Sequence, residues 1–242
     1  MKYEAKNNGS GVPVSQAAGN PYVSITIGDS QTKCTDLNAL NTVSDKYDLI
    51  SNPEWMTIAR NAESVSSNFQ ASVMARGWAA NISFGDAWTS PAVASSTDEN
   101  CLYSTGANTC GSSGSHLYRR TLNLSNGEVI WDLSGNVWEW VDWSHTTAGL
   151  DLGPTTCAAS WVEFPTAASY PCLSGLGSQV FPSTSNGSSV EAFGRFYGGS
   201  GGAAIRGGYW QSGFYAGAFA LDLSPSTTLT SAYVGFRCVY RP

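Results

Sequence analysis

The sequence predicts an α+β protein that is rich in loops, with short antiparallel strands and about two helices. Charged residues make up only 12% of the 242 residues and 26 residues are glycine, whereas about 25% of residues are charged in an average soluble protein. Two segments carry helix signals, and several others alternate apolar with polar residues, as half-buried strands do. The composition shows neither a repeat nor a break, so we expect one domain over 21–242, preceded by an arm or a vector-derived remnant over 1–20.

Composition and charge exclude several classes of function. The chain is 42% hydrophobic and contains nine tryptophans, enough to bury a large core, which excludes a disordered protein. Its net charge is −6 with only 12 Lys and Arg residues. We expect no nucleic-acid partner, because phosphate binding depends on many basic side chains. No apolar run approaches the roughly 20 residues that cross a bilayer, so we expect no membrane-spanning segment.

Six cysteines point to an oxidising compartment. Two pairs lie close in sequence, each in a stretch rich in small and polar residues, and disulfides would brace such loops. The alternative is that the cysteines are buried free thiols, since cysteine also packs as a small apolar residue. The predicted disulfides are Cys101–Cys110, Cys157–Cys172 and Cys34–Cys238.

The first ten residues, MKYEAKNNGS, lack the apolar core of a signal peptide. Either the chain is not exported, or the segment that exported it has been removed. Because disulfides form in oxidising compartments, we expect an extracellular, cell-surface or virion-displayed protein.

The N-terminal third predicts one strand and two helices. Residues 22–27 (YVSITI) alternate apolar and polar side chains, which predicts a strand, and residues 29–40 predict a short helix. The clearest helix starts with Asn52 as its N-cap, followed by Pro53 and Glu54, which favour a helix start. Its apolar stripe, spaced at i, i+3, i+4, i+7 and i+10, consists of Trp55, Ile58, Ala59, Ala62 and Val65.

The rest of the chain predicts short strands between long loops. Asn126-Gly127 is typical of a two-residue hairpin turn between TLNLS and EVIWDL. Most of 76–128 and all of 144–190 are rich in turn-forming residues, which predicts loops. The final stretch, 232–241 (AYVGFRCVYR), predicts a strand.

The densest motif is WDLSGNVWEWVDW at 131–143, in which two acids flank a Gly-Asn turn. Calcium prefers carboxylates together with backbone carbonyls from a tight turn. Asp132 and Glu139 with the carbonyls of Gly135 and Val137 therefore form a candidate calcium site. The alternative is that Asp132 caps a turn and Glu139 forms a buried salt bridge.

These motifs together resemble the formylglycine-generating-enzyme (sulfatase-modifying factor) family. The resemblance is carried by DLSGNVWEWVDW, by RGGYW at 206–210 and by GFRC at 235–238, and PEWMTIAR at 53–60 is similar to the family's upstream helix. It spans about residues 20–241 and implies a C-type-lectin-like fold of the formylglycine-generating-enzyme subtype. It also strengthens the calcium prediction, because this family often binds calcium at that motif.

The resemblance does not extend to catalysis. Formylglycine-generating enzymes oxidise a substrate cysteine with a copper ion held by two cysteines just after the RGG-aromatic motif, and thiolates are the soft ligands that copper(I) requires. The corresponding positions here are Ser212 and Gly217, and the sequence has no cysteine between Cys172 and Cys238. We therefore expect no catalytic residues, no catalytic cofactor and no enzyme activity.

The C-terminal sequence 205–238 (IRGGYWQSGFYAGAFALDLSPSTTLTSAYVGFRC) resembles the variable region of a diversity-generating-retroelement target protein. In such proteins a reverse transcriptase rewrites adenines of a template, which replaces residues at scattered surface positions and leaves the scaffold between them unchanged. We expect this variable region at about 203–240. Scaffold-like positions are Arg206, Gly207, Gly208, Trp210, Gly213, Ala216, Gly217, Phe219, Leu221, Leu223, Gly235, Phe236 and Arg237. The predicted variable, ligand-binding positions are Tyr209, Gln211, Ser212, Phe214, Tyr215, Asp222, Ser224, Thr227, Leu229 and Tyr233.

The composition of the predicted variable positions is typical of recognition surfaces. Antibody paratopes also combine tyrosine with small polar residues, and exposed apolar patches mark interaction sites. The alternative is that these aromatic side chains belong to the core. We predict a non-enzymatic, receptor-like protein that binds a protein or other macromolecule. The alternatives are a formylglycine-generating-type oxidase and a calcium-dependent carbohydrate-binding lectin, although the sequence lacks the Glu-Pro-Asn or Gln-Pro-Asp triplet of C-type lectins.

Overall fold

The described part of the chain contains two α-helices, one six-stranded sheet and four two-stranded ribbons. In this computed structural model the structure describes residues 1–40, 46–79, 119–143, 160–164, 180–183, 192–199 and 201–242. The predicted disulfides Cys101–Cys110 and Cys157–Cys172 lie outside these residues. The helices are α1 (Ile27–Asp36) and α2 (Asn52–Glu63). The strands are β1 (Lys6–Asn7), β2 (Pro13–Val14), β3 (Lys46–Leu49), β4 (Phe69–Gln70), β5 (Val73–Met74), β6 (Thr121–Asn123), β7 (Val129–Trp131), β8 (Trp138–Val141), β9 (Trp161–Glu163), β10 (Arg195–Tyr197), β11 (Ala204–Gly207), β12 (Gly217–Asp222), β13 (Val234–Phe236) and β14 (Cys238–Arg241). This is the α+β composition that the sequence predicts.

The six-stranded sheet has the strand order β13-β8-β11-β12-β10-β9. The β13–β8 and β10–β12 pairs are parallel and the other three pairs are antiparallel, so the prediction of antiparallel strands is only partly correct. Alternate residues point to opposite faces of a sheet. Val141 and Leu221 pack in a buried cluster with α2, while Trp140 and Ile205 pack in a second cluster with α1.

Helix α2 is the helix that the sequence indicates most clearly, and it begins with a capping box. Ser51, one residue before the predicted Asn52, is the N-cap. The Glu54 backbone N–H donates to the Ser51 hydroxyl, and the Glu54 carboxylate accepts from the Ser51 backbone N–H at 2.8 Å. On the apolar stripe, the Trp55 indole N–H also donates to the carbonyl of Ala218 at 2.8 Å. The helix is thereby joined to β12.

Helix α1 starts two residues before the predicted helix, and the predicted strand over 22–27 does not form. Thr26 is the N-cap and accepts a hydrogen bond from the Asp29 backbone N–H at 3.1 Å. Ile25 and Ile27 are buried, as the alternation of the sequence implies. However, Ser24 adopts a left-handed backbone with φ +58°, which ends the extended run. The last part of the predicted helix, Leu37–Leu40, is a 3₁₀ turn.

The N-terminal residues belong to the folded body, which differs from the arm or remnant expected over 1–20. Tyr3, Glu4, Ala5 and Lys6 are buried. The Ala5 backbone N–H donates to the carbonyl of Phe236 at 2.9 Å, so this segment is hydrogen-bonded to the end of β13. The polar, glycine-rich composition that suggested an arm is confined to the turn between β1 and β2 and the residues after it.

The predicted hairpin forms, with a longer turn than two residues. Strands β6 and β7 are antiparallel and the Leu124 N–H donates to the carbonyl of Glu128 at 2.8 Å, which encloses Asn126 and Gly127. Gly127 has φ +86°, a conformation that favours glycine. The predicted final strand is instead two strands, because β13 pairs with β8 while β14 pairs with β3. Among the described residues no helix is long and apolar enough to cross a membrane.

Helix α1 and β14 are joined by a disulfide between Cys34 and Cys238, as predicted, across 204 residues of sequence. Both cysteines are buried. Because a disulfide that closes so long a loop restricts the unfolded chain, we expect the double variant Cys34→Ala/Cys238→Ala to lose about 2–5 kcal/mol of unfolding free energy. Urea unfolding under oxidising conditions measures this loss. A reducing agent added to the double variant controls for cysteines elsewhere, and an unchanged unfolding midpoint in the double variant would contradict the prediction.

The start of α2 predicts a pH-dependent contribution to stability. Burial disfavours ionisation of Glu54, but hydrogen bonds from Arg241 and Ser51 outweigh it and lower the pKa to about 2. Since the folded pKa lies below the unfolded value, this stabilisation is complete above about pH 4.5 and is lost as the pH falls towards 2. Glu54→Gln should cost about 1 kcal/mol at pH 7, because the pair is partly exposed to solvent, and nothing at pH 2.

Urea unfolding of the wild type and Glu54→Gln between pH 2 and 7 measures this difference. Glu128→Gln, which removes an exposed carboxylate from the β6–β7 turn, controls for the change in net charge. A difference that stays constant across this pH range would show that the Glu54 carboxylate does not act through its charge.

Candidate functional site

The predicted scaffold and variable positions of the C-terminal segment separate by exposure. The segment runs through β11, a 3₁₀ turn at Gly213–Tyr215, β12, a loop over 223–233 and β13. All thirteen scaffold-like positions are buried, and nine of the ten predicted variable positions are partly or fully exposed. Tyr215 is 37% exposed and Tyr233 is 40% exposed. The alternative that these aromatic residues form the core is therefore wrong for both tyrosines.

Ser212 is the exception among the predicted variable positions. It is only 5% exposed, and its hydroxyl accepts the backbone N–H of Tyr209 at 2.9 Å. Its carbonyl accepts the backbone N–H of Tyr215 at 2.9 Å. Ser212 therefore holds the turn that presents its neighbours and does not face a ligand. Its small polar side chain resembles a surface residue in sequence, because the bonds it makes in the turn are not visible there.

One aromatic cluster of the segment joins its two loops. The rings of Tyr209 and Tyr233 lie 4.8 Å apart, and Trp210 packs edge-on against Tyr209 at 5.3 Å. Trp210 is buried with Trp78 and Val137, so it fixes the base of the cluster. Burial and the neighbouring Tyr233 raise the pKa of Tyr209, whose phenol stays neutral at pH 7.

A second aromatic cluster surrounds Tyr215 and includes residues that the sequence analysis did not select. Trp161 of β9 stacks on Tyr215 with ring centroids 5.0 Å apart, and the Arg195 guanidinium lies 4.8 Å from the centre of the same ring. The guanidinium of Arg76 lies 4.8 Å from the ring centre of Phe214, the residue before Tyr215. The sequence predicts a loop over 144–190 and therefore gives Trp161 no role, but this prediction is wrong for residues 161–163, which form β9.

The remaining candidate positions line the loop after β12. Ser224 and Thr227 are exposed, and Asp222 and Leu229 are half-buried. The Asp222 carboxylate accepts the Ser224 backbone N–H at 2.8 Å. Burial raises the pKa of Asp222, and the hydrogen bonds from Ser224 oppose this shift.

Two glycines outside the predicted variable positions allow close backbone contacts. One contact involves the loop after β12, and the other involves the turn between β11 and β12. A Cβ atom at Gly201 would lie 2.1 Å from the carbonyl oxygens of Ser224 and Pro225, so only glycine allows this close approach. Gly208 has φ +88°, and a Cβ there would lie 2.6 Å from Ala216. The backbones of both loops are therefore held by scaffold contacts, while the side chains between them stay accessible.

Comparison with known families decides the fold family. The family model for the sulfatase-modifying factor enzyme 1-like domain matches residues 2–242. The chain belongs to this family. The match supports the predicted C-type-lectin-like fold, and it includes the N-terminal residues that pack against the body. No curated protein matches the chain.

The copper chemistry of formylglycine-generating enzymes does not fit the residues of this family member. A Cβ atom at Gly217 would lie 2.2 Å from the backbone nitrogen of Gly194 and the carbonyl carbon of Phe193, so no cysteine fits there. Ser212 supplies a buried hydroxyl that is already bonded to the backbone. Two facing thiolates, which copper(I) requires, are therefore excluded at these positions.

The candidate calcium residues lie in a buried network of ion pairs. Both carboxylate oxygens of Asp132 accept from Arg120 at 2.6 Å, and both oxygens of Glu139 accept from Arg237. The Gly135 backbone packs against Trp78, and the Val137 N–H donates to Glu4 at 3.2 Å.

This network weighs against the predicted calcium site, because the arginines already neutralise the carboxylates of Asp132 and Glu139 that would bind the ion. The described residues contain no group of three or more His, Cys, Asp or Glu side chains that could hold a metal. Calcium binding stays a prediction that only a metal titration tests.

The tight packing at Gly217 predicts a large effect of a small substitution. Gly217→Ala should lower the unfolding free energy by about 3 kcal/mol, because its Cβ would overlap backbone atoms that cannot move aside. Chemical unfolding followed by circular dichroism measures this loss. Gly28→Ala in α1, where a Cβ meets only Thr26 Oγ1 at 4.0 Å, is the matched control and should be neutral or slightly stabilising. Equal effects of the two substitutions would show that Gly217 has room for a side chain.

Proposed function

We propose that this protein is a non-enzymatic, receptor-like binding protein whose C-terminal variable region is diversified by a retroelement. Its ligand is a macromolecule, in the first place another protein. One observation supports the proposal: nine of the ten predicted variable positions are partly or fully exposed, and all thirteen scaffold-like positions are buried. Side chains at the exposed positions can therefore be replaced while the buried scaffold contacts of the segment stay unchanged.

The exposed side chains suit protein recognition. Tyr209, Tyr215 and Tyr233 offer rigid aromatic area with a polar tip, while Gln211 and Ser224 add small or adaptable hydrogen-bonding groups. Tyrosine gives large contact area at a low cost in conformational entropy. Replacing such side chains alters recognition without disturbing the buried contacts beneath them.

The two alternative functions lack a supporting observation among the described residues. An oxidase would need thiolates that Gly217 has no room for. A calcium-dependent lectin would need carboxylates that are free to bind the ion, whereas Asp132 and Glu139 are paired with arginines. A structural calcium ion would in any case lie at that motif and not at the exposed positions. The buried Cys34–Cys238 disulfide supports display outside the cytoplasm, at a cell surface or on a virion.

Deep sequencing of the 3′ end of this gene in its native population tests the proposal. We expect substitutions to accumulate at the codons for Tyr209, Gln211, Phe214, Tyr215 and the other exposed candidates. The codons for the buried scaffold positions should stay unchanged, and the codon for Ser212 should vary less than its neighbours, since its side chain is buried. A uniform sequence across the population would contradict diversification.

The unfolding free energies of single variants test whether an exposed candidate position can be replaced without loss of the fold. Tyr215→Ala should lower the unfolding free energy clearly less than Phe219→Ala in β12, because Tyr215 is 37% exposed whereas Phe219 is fully buried. The loss at Phe219 should be about 3–5 kcal/mol. Similar losses at both positions would show that Tyr215 is a core residue. Diversification could then not act at that position without unfolding the protein.

A further inference from the structure

Tyr215 is held by residues that lie outside the predicted variable region of 203–240. Trp161 and Arg195 lie on β9 and β10, which pair in antiparallel register with Arg195 opposite Glu163. Trp161 stacks on Tyr215 at an interplanar angle of 27°, and the Arg195 guanidinium lies over the same ring. The turn that carries Tyr215 packs on β10. Two strands of the central sheet therefore support one exposed position of the variable segment.

Trp161 connects this exposed ring to the core. It stacks on Trp138 with ring centroids 6.0 Å apart and an interplanar angle of 13°, and it contacts Tyr197 at 5.1 Å. Trp138 is buried, Trp161 is half-buried and Tyr215 is exposed, so the three rings form a stack that runs from the interior to the surface. The Arg195 side chain is in turn held by Glu163 at 2.7 Å.

We infer that Trp161 and Arg195 form a constant half of the recognition surface, against which the side chain at position 215 is presented to the ligand. This inference rests on the proposed function. Trp161 and Arg195 act as positioning residues when position 215 is aromatic. When position 215 carries a small side chain, the face of Trp161 is uncovered and contacts the ligand directly. Holding Tyr215 before binding removes part of the entropy cost of ordering it in the complex.

The charges around this stack favour a protein partner with an apolar, weakly charged surface. Arg195 and Glu163 form an ion pair with each other, so the two charges beside the stack compensate each other. Trp161 and Arg195 both contact the Tyr215 ring, and more than a third of the Tyr215 surface remains exposed. An uncharged aromatic or aliphatic side chain complements such a surface. Binding through it should depend weakly on salt.

A displayed library of the full chain tests the inference with myoglobin as the protein probe. The codons for Gln211, Tyr215, Ser224, Thr227 and Tyr233 are randomised on three backgrounds, and binders are selected in 0.5 M NaCl. The backgrounds are the wild type, Trp161→Ala/Arg195→Gln and the control Tyr47→Ala/Tyr240→Ala. The control removes a tyrosine pair at 5.2 Å on the separate β14–β3 ribbon. We expect the Trp161→Ala/Arg195→Gln background to yield binders with affinities about tenfold weaker than the other two.

The outcomes separate the inference from the proposed function. Equal affinities on all three backgrounds would overturn the inference and leave the proposed function intact. No binders on any background, the wild type included, would count against the proposed function itself. If Trp161→Ala prevents folding, Trp161→Phe with Arg195→Lys replaces it, and an intermediate loss of affinity is expected because a smaller ring still stacks.

Nuclear magnetic resonance of the unliganded chain tests the positioning directly. Stacking on Trp161 should move the Tyr215 ring resonances upfield, and Trp161→Phe should move them partly back, without a comparable change at Tyr233. A residue that only stabilises the fold would not produce a shift confined to Tyr215. Unchanged Tyr215 resonances in Trp161→Phe would show that the two rings do not stack in solution, which would overturn the inference.

Discussion

The buried ion pair between Arg237 and Glu139 is the interaction on which the C-terminal architecture depends. Arg237 lies between β13 and β14, and its guanidinium also donates to the carbonyls of Trp131 and Asp132 at 3.1 and 3.2 Å. Removing two charges from water is expensive, and excellent geometry with further hydrogen bonds is needed to offset that cost. In this pair the Arg237 Nε and Nη2 atoms donate to Glu139 and to these two carbonyls, which offsets much of that cost. The pair therefore fixes the position of the C-terminal strands relative to β8, whichever side chains the intervening loops carry.

That constraint explains how exposed variation and a stable fold coexist in one segment. Between the fixed strands, the loops are held through the backbone, by the close contacts of Gly201 and Gly208 and by the Ser212 hydroxyl. None of these contacts involves the side chain of an exposed candidate position. Substituting Thr227 therefore leaves these scaffold contacts unchanged, whereas a single methyl group at Gly217 would collide with the backbone of Phe193. Whether a position tolerates substitution therefore depends on the hydrogen bonds and close backbone contacts at that position, and not only on whether it lies in a loop.

The sequence predicts those features that local chemistry determines. Helix α2, the β6–β7 hairpin and the alternation of buried and exposed positions after Arg206 follow from caps, turn residues and spacing, and family motifs indicate the fold. Features that depend on distant contacts could not be predicted. The burial of Glu4 depends on Asn136, which donates to its carboxylate at 2.5 Å from 132 residues away, and polar residues near a terminus give no sign of such a partner. Likewise, the acids of the 131–143 motif are as suitable for calcium as for arginine until Arg120 and Arg237 are located.

The same limit explains why the sequence does not indicate a role for Trp161, whose contact with Tyr215 joins residues 54 positions apart. A recognition surface built only from replaceable side chains would order every one of them anew in each complex, at about 0.5–1.5 kcal/mol per immobilised side chain. A constant aromatic face reduces this cost for whichever residue packs on it, and an aromatic ring accepts aliphatic and aromatic neighbours alike. Such a face must come from a part of the chain that does not change with the variable residues. The strands β9 and β10 meet this requirement, because they are paired into the central sheet and lie outside 203–240.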